Sequence, residues 1–240
     1  MAQTDHDKVG GFSIGVGHTF DFVCGSVRPC RLLEVGCGDG ALAALLVEAG
    51  FQVTAIDADP NVVVRARELG VSAVCADFIK YTSPAVEAIL FSRSLHHMPD
   101  PKDAVRHARS LLQPKGTLLV EDFDRELVDA AAATWLFDVM SVAAEVCGVP
   151  FGPVEAPVET WCADHPKDHI RPARELNLAI RESFQVVQHH AVPYLYRYVA
   201  DLVGCGSTAR RLVTSIKRLE SRLIERGSFP AVGQRWCCKA

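Results

Sequence analysis

The 240-residue sequence has 49% hydrophobic and 22% charged residues, a composition that is ordinary for a globular protein with a substantial core. Its formal net charge is -4 at pH 7. Because binding to a nucleic-acid backbone calls for a clustered positive surface, this charge favours a small-molecule partner and no nucleic acid.

The start of the sequence shows no apolar run behind basic residues, and no stretch resembles the eighteen or more apolar residues that span a bilayer. We therefore expect a cytoplasmic protein with no membrane partner. Nine cysteines form no Cys-x-x-Cys pair, so neither a disulfide framework nor a zinc site is predicted. Adjacent Cys237 and Cys238 fit alternate positions of a strand, with side chains on opposite faces.

The first half of the chain alternates short apolar runs with helical patterns. The runs, which predict strands, cover 32–35, 53–56, 73–75, 88–91 and 117–120, and the helical patterns cover 41–49, 61–69 and 101–112. Short all-apolar strands separated by helices indicate a parallel sheet covered on both faces. In such doubly wound α/β folds, ligands bind at the carboxyl ends of the strands.

The second half of the chain does not continue this alternation of strands and helices. We predict a long helix over 125–146, a proline-rich loop, a helix over 166–182, a strand over 185–192, a helix over 208–226 and a final strand over 232–238. Tyr194, Tyr196 and Tyr198 alternate as they would in a strand, which predicts that they share one face. The segment after residue 121 is longer than a crossover connection requires.

Three glycines, Gly36, Gly38 and Gly40, interrupt the stretch LLEVGCGDG between the first strand and the first helix. A glycine-rich turn at a helix N-terminus lets a ligand approach backbone N-H groups. With Ala41, the same stretch also satisfies the G-x-G-x-x-G/A dinucleotide fingerprint. The loop alone therefore leaves the identity of the ligand open.

Acidic residues follow the next two predicted strands. In VTAIDADP, Asp57 is placed to accept hydrogen bonds from ribose hydroxyls, whereas Asp59 before Pro60 fits a helix N-cap. In CADF, Asp77 can accept from an adenine amino group and Phe78 can lie against the ring. A turn aspartate beside a core phenylalanine is the other interpretation of this pair.

The ordered set LLEVGCGDG, VTAIDADP, CADF and AILFSRSLHHMPDP resembles the class I S-adenosylmethionine-dependent methyltransferases, in particular their small-molecule branch, over residues 31–121. The resemblance implies an α/β fold with a doubly wound, mostly parallel seven-stranded sheet. It implies one domain over 1–240, with 122–168 as a helical lid insertion. It further implies S-adenosyl-L-methionine as the cofactor and a small molecule as the acceptor.

The resemblance also assigns roles to single residues. Glu34 would order the loop near the methionine amino group, and the glycines would form the loop itself. The full set of implied cofactor-binding residues is Glu34, Gly36, Gly38, Gly40, Asp57, Asp77, Phe78, Ser92 and Leu95, with Arg93, His96 and His97 on the methyl side.

Histidines are the candidate general bases, because their side chains titrate near neutrality. His96 and His97 follow the fourth strand, while His165 and His169 lie with Trp161 and Asp164 in a predicted loop between two helices. Asp164, His165 and His169 could also hold a metal, or the loop could be solvated with Asp168 as a cap. We predict no metal, and expect His165→Ala to slow turnover without loss of cofactor binding.

The sequence thus predicts methyl transfer to a small molecule by in-line displacement, with a histidine base where the acceptor must lose a proton. The alternative is a non-catalytic S-adenosylmethionine-binding partner or regulatory protein. Hydride transfer is disfavoured because no tyrosine has a lysine four residues later. The acceptor, its reacting atom and the oligomeric state remain open.

Overall fold

The computed structural model describes residues 12–167 and 169–240. Asp168, the expected loop cap, lies outside the described residues. The strands are β1 Arg31–Val35, β2 Gln52–Asp57, β3 Ser72–Cys75, β4 Val86–Ser92, β5 Leu112–Phe123, β6 Gln185–Val192 and β7 Gly233–Lys239. The helices are α1 Ile14–Ser26, α2 Ala41–Glu48, α3 Pro60–Glu68, α4 Pro101–Leu111, α5 Ala130–Cys147, α6 Pro157–Asp164, α7 Ala173–Ser183, α8 Tyr196–Val203 and α9 Ser207–Glu225.

The strands of the described chain form one seven-stranded sheet in the order β3-β2-β1-β4-β5-β7-β6. The first five strands are parallel, and β7 runs antiparallel between β5 and β6. This confirms the predicted doubly wound, mostly parallel sheet. Since β1 lies between β2 and β4, the carboxyl end of β1 is at the point where the strand order reverses, which is where such folds bind ligands.

Apolar side chains cover both faces of the sheet. On one face α4 and α7 pack through residues such as Val105 and Leu176, and on the other α1, α2 and α3 pack through residues such as Leu46 and Val63. Cys238 packs in the layer with α4 and α7 and Cys237 in the opposite layer, as the alternation of side chains along a strand predicts. All nine cysteines are free thiols.

A third apolar cluster joins α5, α6, α8 and α9 above the carboxyl edge of the sheet, and includes Phe123, Leu136, Trp161, Tyr194 and Ile216. α1, α6 and α8 were not anticipated. The predicted strand alternation of the tyrosines is wrong, because α8 begins at Tyr196. The two predicted helices at 125–146 and 166–182 begin later, at Ala130 and Ala173, after a short turn and after Pro172.

α8 begins where it does because of a carboxylate on another helix. Its N-cap, Leu195, supplies no side-chain hydrogen bond. Instead the fully buried Glu220 of α9 accepts from the backbone N-H groups of Tyr194, Leu195 and Tyr196, at 2.7, 2.9 and 2.9 Å. These are donors that a helix start leaves without partners. The orientation of α8 is therefore set by α9.

α5 contradicts the expectation that no stretch of the sequence resembles a bilayer-spanning segment. Within the described residues it is the helix whose 18-residue window is long and apolar enough to cross a membrane by length and composition, with a mean hydropathy of 1.4. It buries Leu136 and Phe137 against the third cluster, as core helices of globular proteins also do. One helix of this kind is weak evidence for a membrane span.

Candidate functional site

A cavity of about 980 Å³ opens at the carboxyl ends of the parallel strands. One end is lined by the glycine loop and by the residues that follow β2 and β3. The other end is lined by side chains that follow β4 and β5 and by residues of α1, α8 and the end of α6, including Thr19, His96, Phe123, His165, Tyr194, Arg197 and Tyr198. This volume lies at the upper end of the range for ligand pockets in proteins, so two small ligands can be held together.

The three predicted glycines have different structural roles. Gly36 has φ +71° and donates its N-H to Ile56 O at 2.8 Å, and a Cβ there would lie 2.5 Å from Ser94 Cβ. Gly40 has φ +80° and would meet Ala66 Cβ at 2.6 Å, but it does not line the cavity. Gly38 has φ +54° and lines the cavity, and a Cβ at this position would meet no atom within 4 Å.

These differences predict that alanine destabilises the protein more at Gly36 than at Gly38. Gly36→Ala is expected to lower the free energy of unfolding by about 2 kcal/mol or more, because the new methyl group overlaps Ser94 in a left-handed backbone. Gly38→Ala is expected to cost roughly 1 kcal/mol, since only the backbone strain applies. Urea unfolding of both variants checks this, and equal losses would contradict the packing difference.

Asp57 holds the glycine loop. Its Oδ2 accepts from Gly38 N at 3.0 Å and its Oδ1 accepts from Asp59 N at 3.0 Å. Each carboxylate oxygen has a second lone pair, so both can also accept from a ligand hydroxyl. Asp59 caps α3 through Asn61 N, as the sequence predicts.

Asp77 and Phe78 both line the same end of the cavity. The Asp77 carboxylate accepts from Ile79 N at 3.1 Å and pairs with Lys80 at 3.2 Å, and about half of the side chain is exposed. Both carboxylate oxygens thus have a partner within the turn, as the turn aspartate interpretation predicts, and each keeps a second lone pair that could accept from a ligand. Phe78 is mostly buried against Phe91, at 5.3 Å between ring centroids.

Glu34 is a buried carboxyl group beside the cavity, and its Oε2 has no hydrogen-bond partner among the described residues. Burial, followed by the nearby charges of Asp39 and Asp57, raises the pKa of Glu34 to about 8. A cation bound near these carboxylates would favour the ionised form. The chemistry of this corner thus suits a positively charged ligand group.

The raised pKa of Glu34 predicts how stability depends on pH. Above pH 4.5 the unfolded chain ionises this carboxyl, whereas the folded state keeps it protonated up to about pH 8. Its stabilising contribution is therefore lost as the pH rises across this interval. Relative to Glu34→Gln, the wild type is expected to lose roughly 1 to 4 kcal/mol of unfolding free energy between these pH values. Urea unfolding at both pH values measures the difference, and a constant gap would contradict it.

His96 forms a buried pair with Asp122, the penultimate residue of β5. His96 Nδ1 lies 2.5 Å from Asp122 Oδ1, and Asp122 Oδ2 accepts from the His96 backbone N-H at 3.2 Å. Because a carboxylate only accepts, neutral His96 carries its proton on Nδ1 and its lone pair on Nε2. Nε2 has no partner among the residues that the structure describes. This arrangement can take up a proton at Nε2.

His165 is hydrogen-bonded at both ring nitrogens. Nδ1 donates to Trp161 O at 3.0 Å, which leaves Nε2 to accept from the Tyr198 hydroxyl at 2.8 Å. Burial is the largest cause that lowers the pKa of His165, so the ring is neutral near pH 7. The predicted loop around Trp161 and Asp164 is in fact α6, and His165 is its C-cap.

The remaining predicted residues are separated by the fold. His97 lines the cavity beside His96, with 4.0 Å between ring centroids, and burial lowers its pKa. His169 is exposed and does not line the cavity. Leu95 is fully buried in the first apolar layer, also away from the cavity, whereas Ser92 lines it.

The wall between α1, β5 and α8 contains a buried ion cluster that sequence reasoning missed. Glu121 Oε1 binds Arg197 at 2.8 Å and Arg235 at 2.5 Å, and Glu121 Oε2 accepts from Thr19. Glu121 and Asp122 close the apolar run of β5. Two acids at the end of a parallel strand were the signal that could have revealed the Glu121 cluster and the pair of Asp122 with His96.

A metal site is not formed by the described part of the chain: no group of three or more His, Cys, Asp or Glu side chains there is placed to hold an ion. Asp164 and His165 lie at the cavity, but His169 does not join them. The site is therefore built from hydrogen-bonding and aromatic side chains.

A family model described as "Methyltransferase domain" matches residues 17–183. The chain is similar to the "Ubiquinone biosynthesis O-methyltransferase" of Xanthomonas axonopodis pv. citri (strain 306), with 34% identity over 116 residues, covering 44% of this chain and 48% of the relative. The protein of that name from Xylella fastidiosa (strain M23) is 33% identical over 111 residues, covering 42% and 45%. The matches thus span about half the length of these relatives.

Solved structures share the fold at low sequence identity. An S-adenosylmethionine-dependent methyltransferase from Mesorhizobium loti superposes with a TM-score of 0.59 at 17% identity, covering 94% of this chain and 98% of the other. N-methyltransferase NodS from Bradyrhizobium japonicum, in complex with S-adenosyl-L-homocysteine, has a TM-score of 0.56 at 13% identity over 99% and 93%. The [4+2]-cyclase SpnF has a TM-score of 0.56 at 20% identity over 92% and 80%.

Proposed function

The chain belongs to the class I S-adenosylmethionine-dependent methyltransferases, and from this membership we propose that it methylates a small molecule that carries a hydroxyl group. One observation carries the proposal: a single cavity joins the glycine loop to the His96 and Asp122 pair. A donor and an acceptor can therefore lie end to end in the same space. The alternative of a binding protein without activity would need only the loop end.

The loop end fits S-adenosylmethionine at three points. The unpartnered Glu34 carboxyl suits the positive charges of the methionine part, the open space at Gly38 admits a ligand against the backbone, and Asp57 has lone pairs for ribose hydroxyls. When bound, this cofactor supplies a methyl group on a positively charged sulfur. We propose Asp77 and Phe78 for the adenine and Ser92 for the methionine side.

His96 is the proposed general base. Asp122 fixes the Nδ1-H tautomer, so that Nε2 would accept the proton of the acceptor hydroxyl. The hydroxyl oxygen would bond to the methyl carbon as the bond from that carbon to the cofactor sulfur breaks, with the electron pair returning to sulfur. The Asp122 carboxylate then stabilises the positively charged imidazole. His165 is neutral and engaged by Tyr198, which supports a role for that pair in positioning the acceptor.

The hydroxyl acceptor is supported by the names of the O-methyltransferase relatives and by a base that suits an acceptor with a proton to lose. We further propose a single domain over 1–240, in which 122–168 contributes the lid. Trp161 and His165 of this segment approach Phe123 at the cavity, at ring distances of 6.2 and 5.6 Å. Nine free thiols support a reducing, cytoplasmic location.

The proposal is tested with the cofactor product and with a labelled methyl donor. Calorimetric titration with S-adenosylhomocysteine is expected to show binding, with NAD as the control that does not bind. Incubation with methyl-labelled S-adenosylmethionine and a panel of phenols and alcohols is expected to transfer label to at least one of them. Binding without transfer to any hydroxyl compound would favour the non-catalytic alternative, and NAD binding in place of S-adenosylhomocysteine would overturn both.

A further inference from the structure

We propose that Arg93 binds a carboxylate of the acceptor, which makes the acceptor an anionic, ring-containing hydroxy compound. The inference rests on the proposed function, because it concerns the acceptor half of the same cavity. It is carried by the backbone of Arg93, by the hydrogen-bonding capacity of its guanidinium and by the aromatic surface between Arg93 and His96.

Arg93 has a backbone conformation that non-glycine residues seldom adopt. It follows directly after β4, has φ +57° and donates its backbone N-H to Glu121 O at 2.7 Å. A left-handed residue with a side chain costs about 1 kcal/mol or more relative to glycine. Such strain concentrates at functional sites, and here it directs an arginine to the carboxyl edge of the sheet, where the cavity opens.

The guanidinium of Arg93 has unused hydrogen-bonding capacity. Of its five N-H donors, one is engaged among the described residues, by a contact from Nη1 to Asp201 Oδ2 at 3.4 Å, and 40% of the side chain is exposed. By contrast, the Arg197 side chain in the same cavity is buried and binds Gly15 O, Thr19 and Glu121. Arg93 is therefore the arginine at this end that can bind a carboxylate with two parallel hydrogen bonds.

Aromatic rings connect Arg93 to the proposed base. Phe123 lies edge-on to His96 at 5.1 Å and stacks on Tyr194 at 5.0 Å with an angle of 16°. Arg93 and Tyr194 both line this end of the cavity, and the Arg93 guanidinium pairs with Asp201 at 3.4 Å. An acceptor ring can lie along this surface, with its hydroxyl at His96 and its carboxylate at Arg93.

Charged side chains surround Arg93 at this end of the cavity. Arg197 lies in the wall behind the aromatic surface, where it and Arg235 bind the Glu121 carboxylate. Asp201 is half exposed and is held by one long contact, so a ligand carboxylate can replace it. Asp164 lies at the His165 side of the cavity and is exposed.

The test uses 3,4-dihydroxybenzoate and its uncharged methyl ester as probes, titrated calorimetrically into protein saturated with S-adenosylhomocysteine. We expect the wild type to bind the acid about tenfold or more tightly than the ester. Arg93→Gln should remove this preference by lowering the affinity for the acid and leaving the affinity for the ester unchanged. Arg106→Gln removes the same charge from an exposed position on α4, outside the cavity, and should keep the preference.

A second comparison separates the two sources of a carboxylate. 5′-Methylthioadenosine lacks the methionine carboxylate of S-adenosylhomocysteine. If Arg93→Gln weakens the binding of S-adenosylhomocysteine but not that of 5′-methylthioadenosine, Arg93 binds the cofactor and the proposal is overturned. Equal affinity of wild type for acid and ester, or a preference that survives Arg93→Gln, also overturns it. Failure of S-adenosylhomocysteine to bind wild type would instead remove the proposed function.

Arg93→Gly provides a readout that a structural role would not give. Glycine relieves the left-handed strain, so this variant should unfold at no lower temperature than wild type while losing the preference for the acid. If the contact with Asp201 mainly stabilises the fold, the variant should instead unfold at a clearly lower temperature.

Discussion

Replacement of His96 by glutamine is expected to reduce kcat by about 10²- to 10⁴-fold, the usual contribution of a general base, while the affinity for S-adenosylhomocysteine is unchanged. The reason is that Nε2, held ready by the 2.5 Å contact between Nδ1 and Asp122, is the proposed proton acceptor. Glutamine keeps a donor for Asp122 but cannot take up a proton. Steady-state transfer of labelled methyl to a hydroxyl acceptor measures the effect.

His165→Gln is the matched control for this substitution. Both ring nitrogens of His165 already have partners, so its replacement should act mainly by releasing Tyr198 and raising KM for the acceptor. A larger fall in kcat for His165→Gln than for His96→Gln would assign the base to the His165 and Tyr198 pair. Equal turnover of wild type and both variants would exclude His96 and His165 as the base.

Replacement of Asp57 by alanine is expected to weaken S-adenosylhomocysteine binding about 100-fold, because two charge-assisted hydrogen bonds to ribose hydroxyls would be lost. The same change frees Gly38 N and Asp59 N, which Asp57 now holds at 3.0 Å. Gly38 would then lose its hydrogen bond to β2, whereas Gly36 would keep its own to Ile56 O. Calorimetric titration gives the change in Kd.

Asp59→Ala controls for loss of an acidic residue in the same loop. Asp59 caps α3 through Asn61 N at 2.8 Å and does not line the cavity. Asp59→Ala should lower the free energy of unfolding by about 1 kcal/mol without lowering the affinity for S-adenosylhomocysteine. If both variants bind S-adenosylhomocysteine as the wild type does, the assignment of the ribose site to Asp57 is wrong.

The glycine-loop end of the cavity was accessible to sequence reasoning because its signals are local. Gly36, Gly38 and Asp57 each stand at the end of a predicted strand, and parallel strands bring their carboxyl ends to one edge. Leu95 shows where a motif position fails as a guide. It belongs to the matching segment, yet its side chain enters the core, since a turn sends neighbouring residues in different directions.

The histidine end of the cavity depends on partners that are distant in the chain. Asp122 lies 26 positions from His96, and Tyr198 lies 33 positions from His165. α6 and α8 have eight residues each, which is too short for a helix that is stable by itself. Their periodicity was therefore weak, and the tyrosines of α8 were mistaken for a strand.

By itself, the sequence determined the alternating strands and helices of the parallel sheet and the glycine loop with its acids, because hydrophobic period, turn residues and strand ends are local properties; the count of seven strands came from the family resemblance. The tertiary structure decided which histidine has a free nitrogen and which arginine has unused donors. It also decided where α8 begins, since Glu220 of α9 binds its first N-H groups. These outcomes depend on hydrogen bonds between distant residues, and their pairing exists only after the chain has packed.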